Sequence, residues 1–172
     1  WNSDSTRMPA KMHSFYLRNM YLKNLLKEPG GIEVAGVPID LSKIKVPTYF
    51  ISAIEDHIAP WKSTYSGARN FGGNVRFVLG GSGHIAGIVN PPAANKYGYW
   101  TNTAAKLPAT ADDFFTGAEQ NPGSWWTDWQ AWLMAQDDSK VPARDPLKGT
   151  LKVLEDAPGS FVKARLDAKK AA

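Results

Sequence analysis

Two short apolar, β-rich runs, each followed at once by residues fit for proton chemistry, predict an α/β fold. Residues 46–53 form the first run, which breaks at Glu55-Asp56-His57. Residues 75–79 form the second, which leads into Gly80-Gly81-Ser82-Gly83-His84. Between them, residues 61–71 have helical spacing behind Pro60, and Pro is favoured at a first helical position. Strand, acid, helix, strand and histidine in this order describe a βαβ unit with buried parallel strands. Both polar groups then fall just past strand ends, where open α/β sheets collect ligands and catalytic groups.

The flanking elements follow from the same signals. Residues 1–9 are polar and turn-rich. In residues 10–27, Met12, Phe15, Tyr16, Asn19, Met20, Leu22 and Leu26 recur at roughly helical spacing, and Pro29-Gly30-Gly31 stops the helix. Residues 32–37 alternate as one short strand closed by Pro38. Asn90-Pro91-Pro92 breaks the chain again, residues 96–108 read as irregular, and residues 110–117 read as a helix. Asp112 and Asp113 in its first turn suit the helix dipole. Pro122-Gly123 opens a helix over 124–134 with four Trp. Residues 137–144 are polar, residues 151–162 read as a short strand or an extended arm, and the last ten residues are expected to fray.

The 172 residues suffice for about one domain with a real core. Hydrophobic residues at 43% against 21% charged exclude disorder across the whole chain. The net charge is +4, and basic residues are scattered until Lys163, Arg165, Lys169 and Lys170, so no nucleic-acid footprint is expected. No apolar run is long enough to cross a membrane, and no signal peptide opens the chain. The first residue is Trp1 rather than Met, so the chain is expected to be processed or a piece of something longer.

There is no Cys, which excludes disulfides, thiolate metal sites and a cysteine nucleophile within this chain. The three His show no HxH, HExxH or HxxxH spacing, so no metal is expected. The Gly run lacks the GxGxxG spacing of dinucleotide sites, and no cofactor is expected.

Asp56 and His84 are the candidates for catalysis. An Asp at such a position also serves as a helix cap or turn residue. A His on a Gly-rich loop also serves as a structural donor to a nearby carbonyl. As a pair they say more, because adjacent parallel strands would bring them within a carboxylate–imidazole hydrogen bond. That bond fixes the histidine tautomer and stabilises the imidazolium, as a base serving a nucleophile requires. Acid before base also matches the chain order of α/β-hydrolases, in which the nucleophile comes first. His57 is a further candidate to touch the reacting groups, although neighbouring side chains on a turn face different ways. His13, on the first helix, reads as structural. Trp125, Trp129 and Trp132 share one helix face, which packing explains. Trp126 lies off that face, where it would pack elsewhere or meet a partner or an apolar surface.

These motifs carry a resemblance. Glu55-Asp56-His57-Ile58-Ala59-Pro60-Trp61 and Gly81-Ser82-Gly83-His84-Ile85-Ala86-Gly87, with Asn90-Pro91-Pro92, resemble polyhydroxyalkanoate synthases. Trp1-Asn2-Ser3-Asp4-Ser5-Thr6, Tyr16-Leu17-Arg18-Asn19 and Gly123-Ser124-Trp125-Trp126 look like the same family, as do Ala157-Pro158-Gly159-Ser160 and Val162-Lys163-Ala164 near the end.

The resemblance implies the carboxyl-terminal portion of an α/β-hydrolase fold: parallel strands with flanking helices, and part of a cap region at its start. It divides the chain into a cap or lid segment, 1–31, a core portion with the Trp-rich helix, 32–136, and a tail, 137–172. It implies an acyltransferase that polymerises (R)-3-hydroxyacyl-CoA to polyester with CoA release, through a Cys–His–Asp triad. His84 would be the base, and Asp56 would orient it or activate the substrate hydroxyl. The Cys, in a GxCxG elbow, would lie upstream, so this chain alone is expected to be inactive. The partners implied are the acyl-CoA, the growing polyester, the amino-terminal remainder of the synthase and, when intact, a second copy. The location implied is the cytoplasm, at polymer granules. The competing readings are an esterase or depolymerase on the same fold, and a non-catalytic module that binds granules or a partner through its Trp-rich helix.

Overall fold

The computed structural model describes residues 7–164. The motif at Trp1–Thr6, the basic residues Arg165, Lys169 and Lys170, and most of the expected fraying lie outside the described residues. The chain divides into two compact units, Trp1–Asp137 and Asp138–Ala172.

The first unit opens with α1 (Ala10–Tyr16), shorter than the helix expected over 10–27. A π-helical turn, Leu17–Leu22, replaces its second half, and Asn24, left-handed at φ 49°, breaks it before a 3₁₀ turn at Leu25–Lys27. Helical spacing is therefore present, but Met12, Tyr21 and Leu22 on this segment are exposed, and burial does not hold it in one long helix. The strand expected over 32–37 is a tight hairpin instead. β1 (Glu33–Val34) and β2 (Val37–Pro38) pair antiparallel around Ala35-Gly36. Both turn residues have positive φ, 51° and 79°, as a two-residue hairpin loop of the I′ kind requires.

The expected βαβ unit is present. β3 (Thr48–Ala53) and β4 (Val75–Gly80) run parallel over six residue pairs, from Thr48 beside Val75 to Ala53 beside Gly80. α2 (Trp61–Ala68) connects them, with Pro60 as its N-cap rather than inside its first turn. Two strands that the sequence does not announce complete the sheet. β5 (Tyr99–Thr101) and β6 (Glu119–Asn121) add antiparallel, so the order is β3-β4-β5-β6 and the sheet is mixed. α3 (Ala111–Thr116) precedes β6. Thr110 caps it by accepting from the Asp113 amide and bonds to the Asp113 carboxylate. α4 (Trp126–Gln136) follows.

Alternation along the strands sorts the core into two faces. Phe77 and Leu79 pack with Tyr65 and Ala68 of α2 and Phe114 of α3. There the rings of Tyr65, Phe77 and Phe114 form a triangle with centroids 5.0–5.2 Å apart. Val78 and Tyr99 pack with Trp125, at the start of α4, on the other face. Helices thus cover both faces of the sheet, the α/β arrangement expected. α2 is amphipathic only if Tyr65 and Ala68 face inward, and both are essentially fully buried.

The second unit, within its described part, has 3₁₀ turns at Pro146–Lys148 and Phe161–Lys163. The short strand considered for residues 151–162 does not form. Leu151 and Leu154 are exposed there, and Pro158-Gly159 interrupts the segment, which leaves the extended arm as the better description.

Candidate active site

The parallel register decides where the site forms. Ala53 and Gly80 are partners at the ends of β3 and β4, so the turns that follow leave one sheet edge side by side. Backbone bonds then join the turns. Ile54 donates to the Gly80 carbonyl at 2.9 Å and Glu55 to the Ser82 carbonyl at 3.0 Å. The chain after β4 must pass very close to other backbone, and two glycines permit it. A Cβ on Gly81 would come within 2.6 Å of the Tyr97 carbonyl, and one on Gly87 within 2.3 Å of the Gly81 carbonyl. The left-handed residue in this run is Ser82, at φ 67°, rather than one of its glycines.

Across this edge the Asp56 carboxylate meets the His84 imidazole, with Nδ1 2.8 Å from Oδ2. The other oxygen, Oδ1, accepts from the amides of Ile58 and Ala59 at 2.9 Å each. Asp56 is thus a turn residue and the partner of the histidine at once, and the two readings of its position do not compete. Its side chain is 7% exposed against 44% for His84. The amide of Ala59, then the His84 bond and the amide of Ile58, outweigh desolvation and lower the Asp56 pKa to about 2.

That charge state assigns the tautomer. An ionised carboxylate only accepts, so Nδ1 of His84 carries the hydrogen. In the neutral ring, Nε2 then holds the lone pair, and no described residue bonds to it. The arrangement is a base oriented by an acid, on a side chain that is partly open to solvent.

His57 is exposed and bonds to neither member of the pair. His13 lies exposed on α1, remote in sequence from this edge. The chain has no Cys, and no described hydroxyl is bonded to the imidazole. Among the described residues no group of three or more His, Asp or Glu is placed to hold a metal ion. Nor is any helix there long and apolar enough to cross a membrane. A cavity of about 490 Å³ lies at the opposite end of β4, lined by Arg69, Phe71, Val75 and Lys106 among others. It is not part of this site.

Exposed aliphatic side chains flank the pair along the chain. Ile58, Ile85 and Val89, all on the two turns that hold the pair, are between 63% and 69% exposed. Sequence reasoning missed these residues, because single exposed aliphatic side chains on turns have no period. It also missed what holds the far end of the His84 loop. The Ile88 carbonyl accepts from both the Trp125 and Trp126 indoles, at 3.1 and 3.0 Å.

Comparison with known proteins supports the resemblance read from the motifs. The chain is 52% identical over 165 residues to the poly(3-hydroxyalkanoate) polymerase subunit PhaC of Rhizobium meliloti. It is 47% identical over 167 residues to the protein of that name from Cupriavidus necator. It is 39% identical over 166 residues to poly(3-hydroxyalkanoate) polymerase 2 of Ectopseudomonas oleovorans. Each match takes in 96% of this chain but only 26–29% of the relative, so the chain spans about a quarter of the length of these curated relatives. No protein-family model matches the chain.

Proposed function

We propose that this chain supplies the acid and base of a polyhydroxyalkanoate synthase, an acyltransferase that joins (R)-3-hydroxyacyl groups from CoA thioesters into polyester. The observation that carries the reading is the 2.8 Å bond between Asp56 and His84 at the carboxyl edge of two parallel strands. The relatives named poly(3-hydroxyalkanoate) polymerase add the substrate class. The nucleophile is a Cys from polypeptide outside this chain.

In this reading Nε2 of His84 takes the thiol proton, the thiolate attacks the acyl-CoA thioester, and Nε2 returns that proton to the departing CoA sulfur. The same nitrogen next takes the proton from an attacking 3-hydroxyl, which forms the ester bond and returns the thiolate. Asp56 stabilises the imidazolium that forms in each step. Apolar side chains at Ile58, Ile85 and Val89 keep water from the covalent thioester once the upstream polypeptide covers them. Residues 1–31 belong to that cover, and the complete enzyme works as a homodimer at polymer granules in the cytoplasm.

The test is the release of CoA from (R)-3-hydroxybutyryl-CoA. The 172-residue chain alone releases none, and turnover by it would refute the placement of the nucleophile elsewhere. In a longer polypeptide that carries a GxCxG elbow, His84→Ala and Asp56→Asn each suppress release. Near-parental rates for either variant would remove that residue from the mechanism. A GxSxG elbow upstream would favour the esterase reading instead.

A further inference from the structure

We infer that Trp126 is a positioning residue for His84, acting through the Ile88 carbonyl. The inference rests on the catalytic reading of the Asp56–His84 pair and goes beyond it, because the bonds made at the start of α4 go to the His84 loop and not to the imidazole. The loop that carries His84 is one compact turn. The Gly87 amide bonds to the Gly83 carbonyl at 2.9 Å, and the amides of Ile88 and Val89 bond to the Ile85 carbonyl at 3.1 and 2.8 Å. Asp56 holds the first end of this turn. The segment entering α4 holds the other end.

Three side-chain donors from three consecutive residues converge there. The indoles of Trp125 and Trp126 donate to the Ile88 carbonyl, and the Ser124 hydroxyl donates to the Asn90 carbonyl. Ser124 Oγ also accepts from the Trp126 amide at 3.1 Å, which ties the loop's partners to the first turn of α4. Asn90 is 2% exposed, and its amide donates to the Lys96 carbonyl at 2.8 Å. A displacement of the loop therefore breaks several bonds together, the Ser124–Asn90 bond among them buried.

Trp125 and Trp126 divide the work differently. Trp125 is 8% exposed and packs with Val78 and Tyr99, so the core alone explains it. Trp126 is 36% exposed and outside that cluster; its ring meets Trp125 edge-on, and its indole donates to Ile88. A backbone carbonyl accepting two indole donors has both lone pairs directed, which fixes the carbonyl in direction as well as position. Ile88 in turn bonds to Ile85, the residue after His84. Through this short path the indole of Trp126 sets where the imidazole stands against Asp56.

The experiment uses the full chain, ¹⁵N-labelled, at an alkaline pH where imidazole is neutral. NMR reads the rate at which the His84 Nδ1 hydrogen exchanges with solvent. Trp126→Phe keeps an aromatic ring and removes the donor. Tyr65→Phe removes a bond to the Pro108 carbonyl on the opposite face of the sheet and serves as the control for general destabilisation. The expected result is exchange about fivefold to tenfold faster in Trp126→Phe, the scale of one lost hydrogen bond. Tyr65→Phe stays within about twofold of the parent. An unchanged rate in Trp126→Phe, or an equal rise in Tyr65→Phe, overturns the inference. Asp56→Asn separates it from the reading beneath. If that variant leaves the Nδ1 hydrogen as protected as in the parent, the Asp56–His84 pair itself fails, whatever Trp126 does.

Discussion

Asp128 and Asp56 bind their partners at opposite ends of the same two strands. At the amino-terminal half of β3 and β4, Tyr49 and Arg76 are register partners and both reach Asp128 of α4. The Tyr49 hydroxyl donates to Oδ2 at 2.8 Å, the Arg76 Nε donates to the same oxygen at 2.8 Å, and a second guanidinium nitrogen donates to Oδ1. Burial first, then the bond to Asp128, pushes the Tyr49 hydroxyl above its ordinary pKa, and the same carboxylate holds Arg76 more firmly protonated. No proton moves here near neutrality. At the carboxyl-terminal end, backbone amides occupy one oxygen of Asp56, and the other faces a ring that can gain or lose a proton. A cation that never titrates makes a latch, and an imidazole with a bare nitrogen makes a base.

Activity separates the two regions most. In a polymerase that contains this sequence, His84→Ala lowers CoA release by about a hundredfold to ten-thousandfold, the usual contribution of a general base. Asp128→Ala leaves the chemistry in place and acts on folding instead. It costs about 2 kcal/mol in urea denaturation, less than a fully buried pair because Arg76 is 37% exposed. An Asp128→Ala protein with parental stability would mean that the latch does not hold α4.

Asp56→Asn sharpens the contrast, because asparagine keeps an oxygen for the amides of Ile58 and Ala59. Its stability deficit is smaller than that of Asp128→Ala and depends on pH. The folded pKa of Asp56, about 2, is below its ordinary 3.8, so its charge contributes fully above the ordinary value. The gap between parent and Asp56→Asn in urea midpoint therefore closes as the pH falls from about 4 to about 2. A gap that stays constant through that window would deny the shift. Lys62→Met sets the lower limit of the scale. The exposed Lys62–Asp112 pair, 58% and 75% open to water, contributes under about 0.5 kcal/mol by the same denaturation.

What the sequence reveals of this molecule depends on whether the signal is local. β3 and β4 are contiguous apolar runs, and the acid and base follow them directly, so both strands and the pair could be located by reading along the chain. β5 and β6 could not. Each is three residues long, and Glu119-Gln120-Asn121 carries no apolar alternation at all; pairing with β5, rather than propensity, makes it a strand. The latch joins positions 52 and 79 residues apart, each ordinary in its own segment. The Trp cluster shows a third case. Spacing put Trp125, Trp129 and Trp132 on one packed face, yet Trp129 is 39% exposed. Trp126, off that face, is bonded to a carbonyl of the His84 loop, an acceptor present in every residue and so invisible in sequence.

The central claim is that Asp56 fixes His84 with its hydrogen on Nδ1 and its lone pair on Nε2. The ¹⁵N chemical shifts of the neutral His84 ring, measured in the parent chain and in Asp56→Asn, test it most directly. The structure predicts a dominant Nδ1–H form in the parent that is lost in Asp56→Asn. A dominant Nε2–H form in the parent, or shifts identical in the two proteins, would contradict it.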